Sequence, residues 1–401
     1  MGGPLADYRV LEVTSTVSGP MAAMVLADQG ADVIKIEPPL LGDTIRYLGS
    51  TRNGVAGMFA VLNRNKRSLV LDLKAEAEME IFRQLVATAD VLLENYRPGV
   101  VRKLGIDHES LWQINPRLVY ASISGYGQSG PYMNRKVYDP LIQATTGMAH
   151  AQGLDVGAPT NVATIIFDKV TALTTAQAIT AALLQRAKTG KGQYLSISML
   201  ESALYYNWPD VMWSRTLQGE DIRHVGELAD YFQIFKAKDG HVAILPLRDQ
   251  DFEVLCVWRN ATLHQEPRFR TFPDRLAHRF ELKKAVEAMI ADLTTQEVCE
   301  TLDSFNIPVA RVNSLDEVHE DPQVRHSGSL AEVEHPVAGA MRYARPPFRF
   351  EGDEAFPRRH APAMGDHTRE ILHELGVEEE QIERMEQREA ANREMLRSFG
   401  A

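Results

Sequence analysis

Hydrophobic and polar positions along the first 200 residues follow two alternating periods. Apolar residues that recur every three or four positions predict helices at residues 20–30 and 75–87 and over the long stretch after Asp168. Between the helices, short runs rich in Val, Ile and Leu predict strands at residues 8–13, 32–37, 68–73, 90–94, 118–124 and 193–198. Alternation of this kind predicts a parallel sheet with helices on both faces.

The pattern changes after about residue 220. Two strand-like runs flank Asp239-Gly240, a strong hairpin signal. The runs are residues 231–236 and 241–245, and the segments that follow predict helices near 250–259, 280–291 and 295–304 and a strand at 307–312. We therefore predict an α/β protein in three parts: a Rossmann-like large domain (1–220), a smaller α+β domain (225–325), and a return to the large domain (330–401) with a charged helical segment at 368–398.

Composition narrows the function classes. The chain has 401 residues, of which 44% are hydrophobic and 24% charged, as in ordinary globular proteins. The net charge of −11 argues against a nucleic-acid partner. Only Cys256 and Cys299 are present, which gives neither a disulfide framework nor metal-ligand spacing. There is no apolar run of membrane-spanning length and no signal-peptide pattern, so we expect a cytoplasmic protein without a membrane partner.

The first strand-to-helix turn lacks the features of a dinucleotide site. It reads Thr16-Val-Ser-Gly-Pro20, with one glycine where a dinucleotide-binding turn has three. The phosphate-binding loop of nucleotide hydrolases and the Gly-x-Ser-x-Gly elbow of serine hydrolases do not occur either. The sequence therefore predicts neither a permanently bound cofactor nor a serine nucleophile.

Basic residues cluster at three strand-to-helix junctions, where ligands of open α/β sheets collect. The clusters are residues 63–67 followed by Lys74, residues 95–99 followed by Arg102 and Lys103, and Arg135-Lys136. Together they could bind a phosphate-rich molecule within an acidic protein. The alternative is that they are ordinary surface charge.

Several motifs resemble those of the family III CoA-transferases, in order and in spacing. They include Gly30-Ala-Asp-Val-Ile-Lys-Ile-Glu-Pro38, Asn63-Arg-Asn-Lys-Arg67, Asn95-Tyr-Arg-Pro-Gly99, Ser124-Gly-Tyr-Gly-Gln-Ser-Gly-Pro131, Thr189-Gly-Lys-Gly-Gln193 and Ile307-Pro-Val-Ala310, and so cover nearly the whole chain. The resemblance implies an enzyme that moves CoA from an acyl-CoA to a free carboxylic acid, with both as substrates. It also implies an interlocked homodimer, with the active site between the large domain of one chain and the small domain of the other and with residues 219–227 and 317–328 as the crossings.

The resemblance assigns the catalytic nucleophile to Asp168, in Ile165-Ile-Phe-Asp168. A carboxylate that attacks a thioester gives a mixed anhydride, which the released thiolate can attack in turn to leave an aspartyl-CoA thioester. Taken alone, Asp168 would more often be a helix N-cap. The resemblance places Asp139 near the nucleophile, where it could orient or tune the carboxyl of Asp168; its alternative role is a structural turn.

Further site residues follow from the same resemblance. Lys136 is expected near CoA, and Tyr138 near the acyl carbonyl. The candidates for the CoA phosphates are Lys74, Arg97 and Arg102.

The resemblance also places Val17 in the CoA site. Val17 stands where members that handle formate and oxalate have a glutamine, and residues 244–250 are bulky where those members have a glycine-rich loop nearby. These departures predict a larger mono- or dicarboxylic acid as the acceptor.

Two other functions remain open. The same superfamily contains α-methylacyl-CoA racemases, which need an acid/base group on each face of the reacting carbon. Those racemases have a histidine where this chain has Tyr138, and a tyrosine, with an ordinary pKa of about 10, is a poor base at neutral pH. His150 does not match the racemase position. The second alternative is a non-catalytic acyl-CoA binder, in which replacement of Asp168 would cost no turnover.

Overall fold

A computed structural model describes residues 3–154, 157–223, 226–351 and 356–398. In these residues the strands are β1 (Arg9–Val13), β2 (Asp32–Glu37), β3 (Thr51–Arg52), β4 (Val55–Ala56), β5 (Lys66–Val70), β6 (Val91–Glu94), β7 (Val119–Ser124), β8 (Tyr194–Ser198), β9 (Ile234–Lys236), β10 (His241–Ile244), β11 (Val309–Arg311), β12 (Leu330–His335) and β13 (Gly339–Ala344). The α-helices are α1 (Ser18–Asp28), α2 (Gly57–Leu62), α3 (Glu76–Thr88), α4 (Val100–Leu104), α5 (His108–Leu111), α6 (Asp139–Thr145), α7 (Met148–Gln152), α8 (Ile166–Thr189), α9 (Met199–Asn207), α10 (Trp213–Thr216), α11 (Asp249–Trp258), α12 (Phe272–Ala277), α13 (Arg279–Ile290), α14 (Thr295–Ser304), α15 (Pro322–Ser327), α16 (Thr368–Glu374) and α17 (Glu379–Ser398).

The chain divides into two compact units. The first comprises Met1–Thr146, Asn161–Tyr206 and Gly328–Ala401, and the second Gly147–Thr160 and Asn207–Ser327. The domain boundaries proposed from the sequence stay a prediction. Residues 224 and 225, which belong to the first expected crossing, lie outside the described residues.

A parallel sheet of six strands forms the centre of the first unit. Its order is β5-β2-β1-β6-β7-β8, and every neighbouring pair is parallel. Numbered by their order in the chain, the strands run 3-2-1-4-5-6, which is the Rossmann order. The predicted α/β class and parallel sheet are confirmed. The order reverses between β1 and β6, so the loops that leave these strands diverge there, and ligands of such sheets bind in the resulting crevice.

Both faces of this sheet are buried because alternate strand residues point to opposite sides. On one side, Leu11 and Ile34 pack in a cluster with Phe82 of α3. On the other, Val10 and Val33 pack with the small residues of α1 and α8. Residues such as Ala22, Ala23, Ala172 and Ala176 are fully or almost fully buried, so small side chains let the two helices lie close to the sheet and to each other.

The charged C-terminal segment docks on the first face of the sheet. It forms two helices, α16 and α17, rather than one, and the chain turns between them at Gly376, whose φ is 72°. Ile371 and Ile382, one from each helix, are fully buried in the same cluster as Leu11. Their burial joins a strongly charged segment to the core.

The second unit has an antiparallel sheet of order β11-β10-β9. The hairpin predicted at Asp239-Gly240 is confirmed, with His241 paired to Lys236. Strand β9 begins at residue 234 rather than 231, because Leu228–Tyr231 forms a turn of 3₁₀-helix. The core between this sheet and helices α11, α13 and α14 contains Cys256 as a buried free thiol.

The first basic cluster belongs to the fold rather than to a ligand site. Arg64, Lys66 and Arg67 are at most 5% exposed. Each is paired with a carboxylate of the same unit, at 2.5 Å for Asp28, 2.7 Å for Glu12 and 2.6 Å for Asp32. The prediction that these three side chains bind ligand phosphate is therefore wrong, as is the alternative that they are surface charge. Their burial also explains why β5 begins at Lys66 and not at the predicted residue 68.

Candidate active site

An open cavity lies at the carboxyl ends of β1, β6 and β7. Its volume is about 1050 Å³, including the part open to solvent. It is lined by the segments that follow these strands, residues 15–18, 95–98 and 124–126, together with residues 135–138, Asp168 and Met199. The cavity thus occupies the place where the strand order reverses, which is the usual ligand position in sheets of this order.

Asp168 lies in the first turn of α8 and presents its carboxylate to this cavity. The side chain is half-buried. The hydroxyl of Ser18, the first residue of α1, donates a hydrogen bond to Asp168 Oδ1. Ile165 occupies the N-cap position of α8 and makes no side-chain cap bond, so the interpretation of Asp168 as an N-cap is wrong.

Asp139 takes the capping role instead, from the start of α6. Its side chain is 1% exposed, and Oδ2 accepts hydrogen bonds from the backbone N–H of Phe167 at 2.6 Å and of Asp168 at 2.9 Å. Gln143 Nε2 donates to the other oxygen, Oδ1, at 2.6 Å. The structure therefore brings Asp139 and Asp168 together through the backbone of α8. Gln143, one helical turn after Asp139 on α6, was not predicted as a site residue.

The surroundings of Asp168 act on its protonation in opposite directions. Burial raises the pKa of this carboxyl above its ordinary value, and the charge of Asp139 raises it further. Hydrogen bonds from the hydroxyl and backbone N–H of Ser18 lower the pKa and offset part of this shift. A carboxylate with a raised pKa is more basic, and it is therefore a stronger nucleophile once it is ionised.

Four of the other predicted site residues line the cavity. They are Val17, Arg97, Lys136 and Tyr138. Tyr138 is 69% exposed, whereas Val17 is 4% exposed at the turn into α1. Arg135, next to Lys136, also lines the cavity and adds a third cation.

Lys74 and Arg102 lie outside the cavity lining. Lys74 is exposed beyond the end of β5. Arg102 is in α4, where its guanidinium binds Glu109 at 2.8 Å. A role for these two in binding CoA would require that the ligand extend beyond the cavity.

Comparison with known proteins defines the family. The sequence pattern of CoA-transferase family III matches residues 5–368. The chain belongs to CoA-transferase family III. Succinyl-CoA:glutarate CoA-transferase of Mus musculus is 34% identical to it over 388 residues, which is 95% of this chain and 89% of that protein. Formyl-CoA:oxalate CoA-transferase of Escherichia coli O6:H1 is 32% identical over 423 residues, 97% of this chain and 100% of the other.

Solved structures agree with this assignment. A CAIB/BAIF family protein from Brucella suis superposes with a TM-score of 0.81 at 30% sequence identity, over 94% of this chain and 100% of that one. The predicted resemblance to the family III CoA-transferases is thus confirmed, and the chain is an enzyme of that family.

A cluster of buried charges in this CoA-transferase contacts the loop that lines the cavity after β1. Glu12, Lys35, Asp43 and Lys66, which we call the buried charge cluster, are at most 1% exposed. Lys35 Nζ lies 2.9 Å from a carboxylate oxygen of Glu12 and 2.9 Å from one of Asp43, and Lys66 Nζ lies 2.7 Å from Glu12. Burial lowers the pKa of Lys66 to about 8, helped by the charge of Lys35 and opposed by Glu12.

This cluster holds the loop that leads from β1 to α1. Lys35 Nζ donates to the carbonyl of Thr14 at 3.1 Å, and Lys66 Nζ to the carbonyl of Pro20 at 2.8 Å. Asp43 accepts from the backbone N–H of Thr16 at 3.0 Å. Thr16 has a φ of 73°, a left-handed conformation that is strained for a β-branched residue. The buried charges therefore fix a loop that would not take this form by itself.

Glycine is required where this loop turns into α1. A Cβ on Gly19 would lie 2.4 Å from the Cβ of Thr14, closer than side-chain atoms can approach. The second wall of the cavity has the same requirement, because a Cβ on Gly125 would lie 2.0 Å from a methyl carbon of Val137. In both places the chain passes too close to a neighbouring side chain to accommodate a Cβ.

Glu94, the last residue of β6, is a buried carboxyl that immediately precedes the cavity-lining residues 95–98. It is 1% exposed and accepts a hydrogen bond from the backbone N–H of Tyr96 at 2.7 Å. Burial raises its pKa to about 7, although hydrogen bonds from Ser122 and Tyr96 favour the charged form. In the sequence, Glu94 is distinguished only by its place at a strand end.

The raised pKa of Glu94 predicts a pH dependence of stability. The folded state holds this proton between pH 4.5 and about 7 while the unfolded state releases it, so the free energy of unfolding falls as pH rises through that window. We expect Glu94→Gln to remove this fall and to be more stable than wild type at pH 8 by about 3 kcal/mol. Urea unfolding at pH 5 and pH 8 measures both effects.

Glu37→Gln serves as a control of opposite sign. Glu37 ends the neighbouring strand β2, and although burial alone would raise its pKa, hydrogen bonds and charge from Arg46 lower it to about 2. Its stabilising contribution is present above pH 4.5 and is lost as pH falls toward 2, so this variant should be less stable than wild type at both test values. If Glu94→Gln behaved like Glu37→Gln, the account of Glu94 would be wrong.

The described residues contain no group of three or more His, Cys, Asp or Glu side chains arranged to hold a metal ion. Nor does any helix in the described ranges combine the length and apolar character needed to cross a membrane.

Proposed function

We propose that this enzyme transfers CoA from an acyl-CoA thioester to a free carboxylic acid through a covalent intermediate on Asp168. The observation that carries the proposal is a half-buried carboxylate with a raised pKa, presented to a cavity that Arg97 and Lys136 also line. The cavity thus contains a candidate nucleophile together with positive charge that suits the phosphates of CoA.

The chemistry proceeds in balanced steps without a co-reactant. Asp168 attacks the thioester carbonyl carbon, the carbon–sulfur bond breaks, and CoA leaves as a thiolate from a mixed anhydride. The thiolate then attacks the aspartyl carbonyl carbon and expels the donor carboxylate. The acceptor acid attacks the aspartyl thioester to form a second anhydride, and the released thiolate attacks its acyl carbon, which yields the new acyl-CoA and free Asp168.

Asp139 acts as a positioning residue in this scheme. It holds the backbone N–H of Asp168 at 2.9 Å and so fixes the first turn of α8. Its charge also keeps the pKa of Asp168 raised. Tyr138, which precedes it and lines the cavity, is proposed to approach the acyl carbonyl.

The cationic side chains are proposed to bind the phosphates of CoA. Arg97 and Lys136, which belong to separate segments of the cavity lining, are proposed to contact the part of CoA that enters the cavity. Arginine and lysine both bind phosphate, arginine with two parallel hydrogen bonds. Lys74 and Arg102 are proposed for its outer part, since both are exposed on the same unit outside the cavity lining.

The proposed acceptor is a dicarboxylic acid longer than oxalate. A relative that is 34% identical is named for succinyl-CoA and glutarate, and one that is 32% identical for formyl-CoA and oxalate. Val17, an apolar residue, lines the same cavity as Asp168, and its buried side chain also packs with Ile45 and Phe59. An apolar wall favours methylene groups over the compact, fully polar oxalate. On the ground of the family resemblance we also propose a homodimer, which sedimentation at increasing dilution would test.

A scan of donors and acceptors tests the proposal. Succinyl-CoA and formyl-CoA would each be mixed with isotopically labelled oxalate, succinate, glutarate and a long monocarboxylic acid, and the labelled acyl-CoA measured by mass spectrometry. We expect label to enter the thioester with glutarate or succinate at least ten times faster than with oxalate, consistent with the gain from burying two or three methylene groups, about 0.8 kcal/mol each.

A parallel assay with a 2-methylacyl-CoA in D₂O, in the presence of the labelled acids, separates the alternatives. A racemase would exchange the α-proton of a 2-methylacyl-CoA for deuterium from D₂O without incorporating any labelled acid. A non-catalytic binder would do neither and would still bind the acyl-CoA. Either outcome would end the proposal of CoA transfer.

A further inference from the structure

Ser18 is the side chain that bonds directly to the carboxylate of Asp168. Its hydroxyl donates to Oδ1, and its backbone N–H also favours the ionised carboxylate. Ser18 is 4% exposed and lines the cavity, so its hydroxyl reaches the reacting group while being shielded from solvent. Two donors from one residue thus converge on the proposed nucleophile.

The first turn of α8 leaves little of its own hydrogen-bonding capacity for this carboxylate. Asp139 Oδ2 already accepts from the N–H groups of Phe167 and Asp168. Negative charge that develops on the Asp168 side chain must therefore be met from another element. The element in place is the start of α1, whose first residue is Ser18.

Ser18 is held rigidly where it is. The loop before it is tied to the buried charge cluster by Lys35 at Thr14 and by Asp43 at Thr16, and Lys66 holds the carbonyl of Pro20 immediately after it. A donor fixed in this way needs no reorganisation when charge appears on its partner, which is the property that makes such donors effective in catalysis.

We infer that Ser18 is the oxyanion donor for the reactions at the aspartyl carbonyl carbon of Asp168. The inference rests on the proposed function and deepens it. When Oδ2 attacks the donor thioester, Oδ1 remains as the carbonyl oxygen of the aspartyl group. When the CoA thiolate attacks that carbonyl carbon, a carbon–sulfur bond forms and the negative charge moves to Oδ1. Ser18 already donates to this atom, and collapse then expels the donor carboxylate with the electron pair of the anhydride bond.

This role predicts an asymmetry between the two chemical steps. In the first step charge leaves the Asp168 carboxylate, so the bond from Ser18 weakens and its loss does not slow the attack. In the second step charge gathers on Oδ1, so the bond strengthens and its loss slows formation of the aspartyl-CoA thioester. A serine that merely joined α1 to α8 would affect both steps alike.

The test is single-turnover kinetics of Ser18→Ala with succinyl-CoA, or with the donor of the scan that turns over fastest. Rapid quenching and intact-protein mass spectrometry distinguish the acyl-enzyme from the CoA-enzyme. We expect release of free CoA in the first step at close to the wild-type rate, and formation of the CoA-enzyme slowed by about 10²-fold. Acyl-enzyme should accumulate and be lost to hydrolysis, so that each acyl-CoA consumed gives more hydrolysis and less transfer. Ser18→Thr, which keeps the hydroxyl, should restore the wild-type partition.

Ser110→Ala is the matched control. Ser110 also donates to an aspartate at the start of a helix, Asp107 of α5, at 2.9 Å, but it is not among the residues that line the cavity. Its variant should partition as wild type does. The inference is overturned if Ser18→Ala slows both steps equally or leaves the partition unchanged. Failure of the proposed function would look different, because wild type itself would then form neither adduct.

Discussion

Asp168→Asn is expected to lower the rate of CoA transfer by at least about 10⁴-fold, because the side-chain amide cannot form the covalent intermediate. The amide has nearly the shape of the carboxyl, and its oxygen can still accept the hydrogen bond from Ser18. The backbone bond from Asp168 to Asp139 does not involve the side chain that changes. The fold should therefore persist while turnover is lost, which initial rates and circular dichroism together would establish.

The same variant is expected to be at least as stable as wild type at neutral pH. Burial raises the pKa of Asp168, so the folded state disfavours the charge and the free energy of unfolding falls as pH rises above the ordinary pKa of 3.8. Replacement by the neutral amide removes that penalty. Loss of activity with a gain in stability is the signature of a catalytic group held in an unfavourable environment.

Asp107→Asn is the control for this pair of effects. Asp107 is also an aspartate at a helix start, but it is the true N-cap of α5. Although burial would raise its pKa, hydrogen bonds from Ser110 lower it. Its replacement should leave turnover unchanged and should not stabilise the protein. If Asp168→Asn retained a tenth of wild-type turnover, Asp168 could not be the nucleophile.

Glu12→Gln should destabilise the protein by about 3–5 kcal/mol, the range for a buried charge deprived of its partner. Glu12 is fully buried and is the shared partner of Lys35 and Lys66. Although burial opposes its ionisation, these two ammonium groups lower the pKa of Glu12. A neutral amide would leave both cations, in a site that water does not reach, without the carboxylate that they share. Urea or thermal unfolding at pH 7 measures the loss.

Glu80→Gln is the matched control for the buried charge cluster. Glu80 pairs with Arg83 at 3.2 Å on the surface of α3, and its side chain is 58% exposed. Exposed pairs contribute less than about 1 kcal/mol, so this variant should unfold almost as wild type does. The double variant Glu12→Leu/Lys66→Met, which removes a cation with its anion, should recover part of the stability that Glu12→Gln loses. Equal effects of Glu12→Gln and Glu80→Gln would contradict the role given to the cluster.

The sequence predicted the sheet better than it predicted the site. Strand β2 has the predicted bounds because its apolar residues are bounded by polar ones and by Gly30. Strand β5 begins two residues before its predicted start, since Lys66 and Arg67 resemble surface residues until their carboxylate partners are known. The hairpin of β12 and β13 was not predicted, although its strands alternate in burial and a glycine at φ 74°, Gly339, directly follows its turn.

Within the site, local pattern and family resemblance indicated candidate residues, but their hydrogen-bond partners could be seen only in the folded structure. Asp168 and Asp139 were identified as candidates, but the capping of one helix by a residue from another depends on a contact between distant parts of the chain. Ser18 and Gln143 were missed for the same reason, since each acquires its meaning only from the carboxylate that it contacts. Lys74 and Arg102 were chosen because they belong to basic clusters at strand-to-helix junctions, and their contact with the ligand stays a prediction.

The most direct test of the account is to locate the covalent adduct. The enzyme would be mixed with acyl-CoA, quenched in acid within its turnover time, digested, and its peptides analysed by mass spectrometry, with hydroxylamine treatment of a parallel sample. We predict CoA attached through a thioester to the peptide that contains Asp168, conversion of that aspartate to the hydroxamate by hydroxylamine, and neither product from Asp168→Asn. Turnover with no adduct, or with the adduct on another residue, would show that Asp168 is not the nucleophile.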